Sequence, residues 1–147
     1  DQVNAVYTYA FWTRVVSAFI GHKPDLAEKQ DFWRSVAFYN YIQESAGTGP
    51  RIRPTDEMWR KSEPGFAKVL NEHAPQVLIV LGYQLWENVP DLGGAWDRPI
   101  NGAPQTQTWR YPLDGGRTCL AYGIRPPSSG FTGSAWQPHI LEAIRRA

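Results

Sequence analysis

The sequence predicts an α/β fold, a three-layer α/β/α arrangement around a short, mostly parallel central sheet. The clearest observation is the run of five aliphatic residues at 77–81, which lies between Pro75 and Gly82 and is typical of a central strand covered on both faces. A second observation is that apolar runs alternate along the chain with stretches whose apolar residues have helical spacing. Such alternation favours parallel strands joined by helices over an all-helical or an all-β fold.

The bulk composition is that of one folded domain. The chain has 147 residues, and we expect a single domain over residues 1–147. Hydrophobic residues make up 42% and charged residues 20%, an ordinary balance for a folded protein. The formal net charge is +1, so any attraction to nucleic acid must come from a local patch. The seven Trp and seven Tyr are many for this length, and such rings suit a core, stacking on bases or the lining of a pocket.

Cysteine use and hydropathy limit the cofactors and the compartment. Cys119 is the only cysteine, so no disulfide forms within the chain and cysteines build neither a zinc site nor an iron–sulfur cluster. The histidines have no ligand spacing, and we expect no metal and no cofactor. The first residues are polar and acidic, and no apolar run approaches the ~20 residues needed to cross a bilayer. We therefore expect a cytoplasmic protein without a membrane partner.

The first part of the chain is expected to contain two helices and a strand. Residues 5–20 carry apolar side chains at helical spacing, and Gly21 ends this helix. A shorter helix is predicted at 25–34. The stretch 36–42 has no helical stripe and is rich in β-branched and aromatic residues, which predicts a buried strand. Residues 45–53 contain Gly and Pro and are expected to form a loop.

The middle of the chain predicts a broken helix before the strand at 77–81. Thr55 is a suitable helix cap, and the helix is expected to extend to about His73. Pro64 cannot donate the backbone hydrogen bond of a helix interior, so we expect a kink or a restart near Ser62. A short helix is predicted after the strand, around 85–89.

The last third predicts two strands and a helix. The strands are expected at 106–111 and 118–124, with a turn at Asp114-Gly115-Gly116 between them. The final helix is expected to start near Pro138, because proline suits the first turn of a helix. Its inward-facing residues are expected to be Ile140, Leu141 and Ile144.

Three stretches, taken in order, resemble the uracil-DNA glycosylase superfamily. The first is Phe38-Tyr39-Asn40 on the predicted strand, followed by Arg53-Pro54-Thr55 and a helix. The second is the strand from Pro75 to Gly82, which is similar to the family's Pro-x-Val-hydrophobic-Leu-Gly pattern. The third is Arg-Pro-Pro-Ser-Ser-Gly-Phe at 125–131, which stands where the family carries a His-Pro-Ser loop. The resemblance covers residues 32–140 and implies a divergent glycosylase-like domain with a cleft at the carboxyl ends of the strands.

The resemblance implies that this cleft binds nucleic acid, most simply DNA, or another nucleobase-containing ligand. Asn40 would read the edge of a base flipped out of the stack, because an amide both donates and accepts hydrogen bonds. Its alternative role is that of a strand-end residue capping a turn. Arg51 and Arg53 are candidates for phosphate contacts, although a solvated loop would also account for them.

The loop at 125–131 carries the remaining candidate residues. The position of the family's histidine, which faces the base carbonyl where negative charge develops, is occupied by Pro126, and proline neither donates a hydrogen bond nor titrates. Arg125 is adjacent and permanently cationic, so it is the candidate that assists the leaving base. The candidate nucleic-acid contacts are Ser128, Ser129 and Gly130 at phosphate, and Phe131 as a wedge into the duplex.

Three functions stay open on the sequence. The first is a DNA N-glycosylase-like hydrolase, and the second is an inactive relative that binds nucleic acid, a nucleotide or a protein through the same cleft. Pro126 favours the second, and so does the lack of a counterpart, before Asn40, of the family's first strand and its water-positioning loop. The third is an unrelated flavodoxin-like or Rossmann-like domain acting on small molecules, which no Gly-x-Gly-x-x-Gly loop supports.

Overall fold

The computed structural model describes residues 2–42, 54–128 and 130–147, with side chains from residue 10 onward. The helices of these ranges are α1 (Gln2–Ile20), α2 (Leu26–Ser35), α3 (Asp56–Lys61), α4 (Glu63–His73), α5 (Tyr83–Asn88) and α6 (Gly133–Arg146). The strands are β1 (Val77–Leu81), β2 (Ala95–Trp96), β3 (Thr108–Pro112) and β4 (Thr118–Ile124), and a 3₁₀ turn spans Asp114–Gly116. The protein therefore has a mixed α/β fold, as the sequence predicts.

The sheet is mixed, and the expectation of a mostly parallel sheet is wrong. Its four strands have the order β1-β4-β3-β2. Only β1 and β4 are parallel, whereas β4–β3 and β3–β2 are antiparallel. The link from β3 to β4 consists of residues 113–117 alone, and so short a connection allows only a hairpin, since a parallel crossover needs a dozen residues or more.

The run at 77–81 forms β1 as predicted, but not as a central strand. Among the described residues its only strand partner is β4, so β1 lies at an edge of the sheet. Only Val80 of the five is fully buried, and the others are half-buried. The fully buried strand is β4, in which every residue after Thr118 is buried.

Buried side chains form two clusters, one on each face of the sheet. On the face that we call the α6 face, alternate residues of β4 pack with α1 and α6; the cluster consists of Ala18, Ile100, Leu120, Tyr122, Ile124, Trp136, Ile140 and Ala143. On the opposite face, called the α4 face, the cluster consists of Tyr41, Phe66, Leu70, Tyr111, Leu113, Cys119 and Ala121. Side chains of α5 pack against this second cluster. Both faces of β4 are thus covered by helices.

The helix boundaries of the first half follow local chemistry. Asp25 caps α2 in a capping box: its carboxylate accepts from the backbone N–H of Glu28, while Glu28 accepts from the N–H of Asp25. Thr55 caps α3 through a bond from the N–H of Met58. The predicted break is confirmed, because Ser62 separates α3 from α4 and Pro64 falls in the first turn of α4, where no backbone donor is lost.

The stretch 36–42 is not a strand, so that prediction is wrong. It is an irregular segment after α2, and Val36 and Phe38 are exposed. Its aromatic rings pack on helices instead of a sheet: Phe38 contacts Trp12 of α1, and Tyr41 contacts Phe66 of α4. The β-favouring composition therefore reflects aromatic packing on helices and not strand pairing.

Helix α6 begins at Gly133, five residues earlier than predicted, and contains Pro138 in its interior. A proline there removes one backbone bond of the helix, to the carbonyl of Ser134, which is an exposed residue. The buried stripe contains Trp136, Ile140 and Ala143. Leu141 and Ile144 are 46% and 44% exposed, so only Ile140 of the three residues expected to face inward is buried.

Candidate functional site

The carboxyl ends of the parallel strands β1 and β4 lie side by side and carry two loops. The backbone N–H of Gly82, which follows β1, donates to the carbonyl of Ile124, the last residue of β4, at 2.9 Å. Gly82 has φ +122°, a conformation that favours glycine, and a Cβ atom added there would lie 3.6 Å from Cγ of Pro126. The loop after β4 therefore packs directly on the turn between β1 and α5, at the edge of the sheet where α/β proteins commonly bind ligands.

The loop from Arg125 to Phe131 is a compact turn joined by its own hydrogen bonds. The N–H of Ser128 donates to the carbonyl of Pro126 at 2.7 Å, and the N–H of Phe131 donates to the carbonyl of Ser128 at 3.0 Å. Gly130 has φ +83°, as this reversal requires, and its carbonyl accepts a bond of 3.3 Å from the Arg125 guanidinium. Ser128 and Gly130 are exposed. Ser129 lies outside the described residues.

Arg125 is the cation of this site. Its side chain is exposed, and no carboxylate of the described residues lies within ion-pair distance of it. Burial raises the pKa of the neighbouring Tyr83 hydroxyl, and the positive charge of Arg125 acts against that rise. Within the described residues, Arg125 thus presents a charge without a carboxylate partner beside a neutral phenol, which suits an anion such as phosphate.

Phe131 and Pro126 limit what the loop can do. Phe131 is half-buried and packs against the cluster of the α6 face, so its ring contributes to the core as the loop stands. Pro126 is exposed and packs on Gly82, and its ring nitrogen has no hydrogen to donate. Among the described residues of this loop, the guanidinium of Arg125 is the cationic hydrogen-bond donor, and the exposed hydroxyl of Ser128 is a neutral one.

Asn40 lies beside helices and not at the end of a strand. It is exposed, in the irregular segment between two tyrosines that both pack on the α4 face. The hydroxyl of Tyr41 donates to the carbonyl of Trp59 at 3.0 Å, and the hydroxyl of Tyr39 would lie 3.2 Å from a Cβ atom added at Gly65. These contacts place Asn40 over α3 and α4. Arg51 and Arg53 lie outside the described residues.

A second concave surface, which we call the aromatic cleft, contains none of the residues selected from the sequence. It has a volume of roughly 290 Å³ and lies between α5, the following loop and strands β2 and β3. Its rings and carboxylates are those of Trp86, Trp96, Trp109, Tyr111, Glu87 and Asp91. The excess of Trp and Tyr was the only sequence signal for it, since these rings come from three separate elements.

The remaining reactive groups of the described residues have structural roles. Cys119 is completely buried, and burial raises the pKa of its thiol to about 12, which keeps it protonated and unreactive. In the described part of the chain, no three His, Cys, Asp or Glu side chains are grouped closely enough to hold a metal ion. None of the described helices combines the length and the apolar character needed to cross a membrane.

Comparisons of the chain with protein-family models, with curated proteins and with solved structures give no match. A functional assignment therefore depends on the residues and the geometry described above.

Proposed function

We propose that this chain is a divergent uracil-DNA glycosylase-like protein that binds nucleic acid at the carboxyl ends of β1 and β4. The observation that carries the proposal is the direct contact between the turn after β1 and the loop after β4, through Gly82, Ile124 and Pro126. These are the second and third of the three motifs that resemble the superfamily. A shared site requires them to be neighbours, although they are more than forty residues apart in sequence.

The proposal assigns a role to each polar group of the loop. The guanidinium of Arg125 binds a phosphate, because it is exposed and has no carboxylate partner among the described residues. Ser128 and Gly130 offer a hydroxyl and backbone groups beside it, and Ser129 belongs to the same phosphate contact by position. Arg51 and Arg53 extend the basic surface, Asn40 reads the base, and Phe131 is the wedge; these last roles rest on the resemblance alone.

The architecture belongs to the same proposal. Clusters on both faces of β4 support a three-layer α/β/α domain of the glycosylase type, in which the described residues before Asn40 form no counterpart of the family's first strand. The sheet differs from that type because β2, β3 and β4 pair as antiparallel hairpins, where the glycosylase type implies mostly parallel strands.

Hydrolysis of the N-glycosidic bond is the stronger form of the proposal, and binding without catalysis is the alternative. In hydrolysis water adds to C1′, the bond from C1′ to the base nitrogen breaks, and the base leaves as an anion that then takes up a proton. In this form of the proposal the guanidinium of Arg125 stabilises the leaving base anion instead of a phosphate. Pro126 favours the non-catalytic alternative, because it supplies no proton and no hydrogen bond at the position of the family's histidine.

Binding is tested with fluorescently labelled single- and double-stranded oligonucleotides, with and without an abasic site, by anisotropy at several salt concentrations. We expect Arg125→Ala to weaken binding and to lower the slope of log Kd against log salt by about 1, while Arg125→Lys retains the slope. Arg117→Ala is the matched control, since Arg117 is an exposed arginine just before the other end of β4. Equal losses in the Arg125→Ala and Arg117→Ala proteins would reject the assigned interface.

Hydrolysis is tested on uracil-containing oligonucleotides, with alkaline strand cleavage as the readout for abasic sites. We expect Pro126→His, which restores the family's residue, to raise cleavage above that of the unchanged chain. Adding Asn40→Ala should abolish the gain if Asn40 reads the base. Nucleic-acid binding without cleavage by either protein would establish the non-catalytic alternative.

A further inference from the structure

The walls of the aromatic cleft are fixed before any ligand binds. The indole N–H of Trp109 donates to the carbonyl of Asp91 at 3.1 Å, and the hydroxyl of Tyr111 donates to the carbonyl of Pro90 at 2.8 Å. These two bonds tie the loop after α5 to β3. Because the polar ends of these two rings already have partners, Trp109 and Tyr111 need not reorganise when a ligand binds, which lowers the free-energy cost of ordering this wall.

Two indole rings form a corner of this cleft. Trp96 and Trp109 are direct cross-strand partners on β2 and β3, with ring centroids 4.8 Å apart and planes at 89°. Trp96 is 62% exposed, an unusual exposure for a side chain of that size. On the opposite side Trp86 lies so close to β4 that a Cβ atom added at Gly123 would be 2.6 Å from its ring. The corner is therefore backed by the sheet and open to solvent.

The charge of the cleft is negative. Glu87 and Asp91 both belong to its lining and both are exposed, whereas none of the described lysines, arginines and histidines lines it. Neither carboxylate has an ion-pair partner among the described residues. Aromatic faces are themselves electron-rich, so the rings and the carboxylates favour the same kind of ligand, a cation.

We infer that the aromatic cleft binds an alkylguanidinium group, the side chain of an arginine. A guanidinium stacks on indole faces and also donates hydrogen bonds in its plane to carboxylates, and this cleft offers both partners. A phosphate or a nucleotide is disfavoured by the two carboxylates, and a quaternary ammonium ion would leave them without a hydrogen-bond donor. The cleft contains none of the described residues of the nucleic-acid proposal, so the two proposals stand or fall separately.

The test is a titration of the full chain with short acetylated peptides, followed by tryptophan fluorescence and calorimetry. The probes are Gly-Arg-Gly and Gly-Lys-Gly, both as amides, together with free arginine amide and choline. We expect saturable binding of the arginine peptide and about tenfold weaker binding of the lysine peptide. Binding of arginine amide as tight as that of the peptide identifies a small-molecule ligand, whereas tighter binding of the peptide identifies a protein ligand; both outcomes support the guanidinium site.

Variants separate the two parts of the site. We expect Trp96→Ala to weaken arginine binding about tenfold and Trp96→Phe to weaken it less, because a ring remains. Glu87→Gln combined with Asp91→Asn should weaken it by about tenfold or more, whereas Glu72→Gln, at an exposed glutamate on α4, should leave it unchanged. All these positions except Trp96 are exposed polar sites, and circular dichroism checks that each variant folds.

Several results would each overturn the inference. They are an absence of saturable binding by the arginine peptide, equal binding of the lysine peptide, and unchanged affinity in the folded Glu87→Gln/Asp91→Asn protein. Choline binding that exceeds that of the arginine peptide would also overturn it, since it would show that hydrogen bonds to the carboxylates contribute nothing.

Discussion

At the edge formed by β2 and β3, one face of the sheet is covered through hydrogen bonds to α6, whereas the other face is an open cleft. On the α6 face, the guanidinium of Arg110 donates to Asp97 at 2.6 Å and to the hydroxyl of Thr118 at 3.0 Å. The side chain of Arg146, at the end of α6, donates in turn to the carbonyl of Arg98 at 2.8 Å. On the α4 face, the same two strands present Trp96 and Trp109 to an open cleft.

We therefore expect the α6 face to contribute mainly to stability and the cleft on the α4 face to contribute mainly to binding. Hydrogen bonds connect the end of α6 to β3 and to the segment after β2. Side chains between α6 and the sheet are therefore shielded from water and contribute to the stability of the fold. The rings on the other face are held by bonds at their edges, but part of their apolar surface remains exposed, which favours ligand contact. Substitutions on the α6 face should therefore change stability most, and substitutions in the cleft should change binding most.

The largest effect is expected from Ile140→Ala on the α6 face. Ile140 is fully buried against β4, and its truncation leaves a cavity, which should lower the free energy of unfolding by about 2–5 kcal/mol. Leu141→Ala is the matched control, since Leu141 is adjacent on α6 and 46% exposed, and it should change stability by no more than ~0.5 kcal/mol. Urea denaturation measures both. Similar losses in the two variants would show that α6 packs with a different face inward.

A smaller effect is expected from Gly133→Ala, where α6 crosses α1. A Cβ atom at Gly133 would lie 2.7 Å from the backbone carbon of Ser17 and 2.8 Å from the nitrogen of Ala18, so the helices must separate. We expect a loss of about 1–3 kcal/mol in unfolding free energy. Thermal unfolding measures this loss. Ser134→Ala is the matched control, because Ser134 is exposed on α6. Gly102→Ala is unsuitable as a control, because Gly102 has positive φ.

No loss in the Gly133→Ala protein would mean that α1 and α6 do not approach as closely as described. The substitution also distinguishes the faces, because arginine binding in the aromatic cleft should be unaffected as long as the protein stays folded.

Local chemistry made most of the elements predictable. The cap at Thr55, the break at Ser62 and the aliphatic run of β1 each depend on residues close in sequence, and the structure confirms each of them. The hairpin of β3 and β4 was also implied by the short link at 112–117 between the two predicted strands, which excludes a parallel pairing. The expectation of a mostly parallel sheet gave too much weight to the alternation of elements.

Long-range packing explains what the sequence did not predict. The composition of residues 36–42 matches a strand, yet the rings of Phe38 and Tyr41 contact Trp12 of α1 and Phe66 of α4, which are distant in sequence. In α6, the inward stripe is set by how the helix lies on β4, so Ile140 is buried while Leu141 is not. Which of these adjacent residues faces inward cannot be predicted from local spacing.

The candidate sites show the same division. Residues 125–131 were found from a contiguous motif, and the contact with Gly82 follows from the parallel pairing of β1 and β4. The aromatic cleft was missed because Trp86, Trp96 and Trp109 lie in different elements and become neighbours only through the β2–β3 hairpin.

The smallest effect is expected from Asp97→Asn, and it depends on pH. The hydrogen bond from Arg110 is the main cause that holds the pKa of the Asp97 carboxyl below its usual value. A carboxyl whose pKa is lower in the folded than in the unfolded chain stabilises the fold above the unfolded pKa of ~3.9, and this stabilisation is lost as the pH falls further. We therefore expect Asp97→Asn to cost roughly 1 kcal/mol or less at pH 7 and to differ from the unchanged protein progressively less below about pH 4. Urea denaturation at pH 7 and pH 3 measures this difference.

The Asp97→Asn substitution also tests whether the two faces are independent. Because Asp97 lies on the α6 face, its substitution should leave the affinity for an arginine peptide unchanged at pH 7, in contrast to substitution of the carboxylates of the cleft. A loss of that affinity would show that the two faces are coupled through β2.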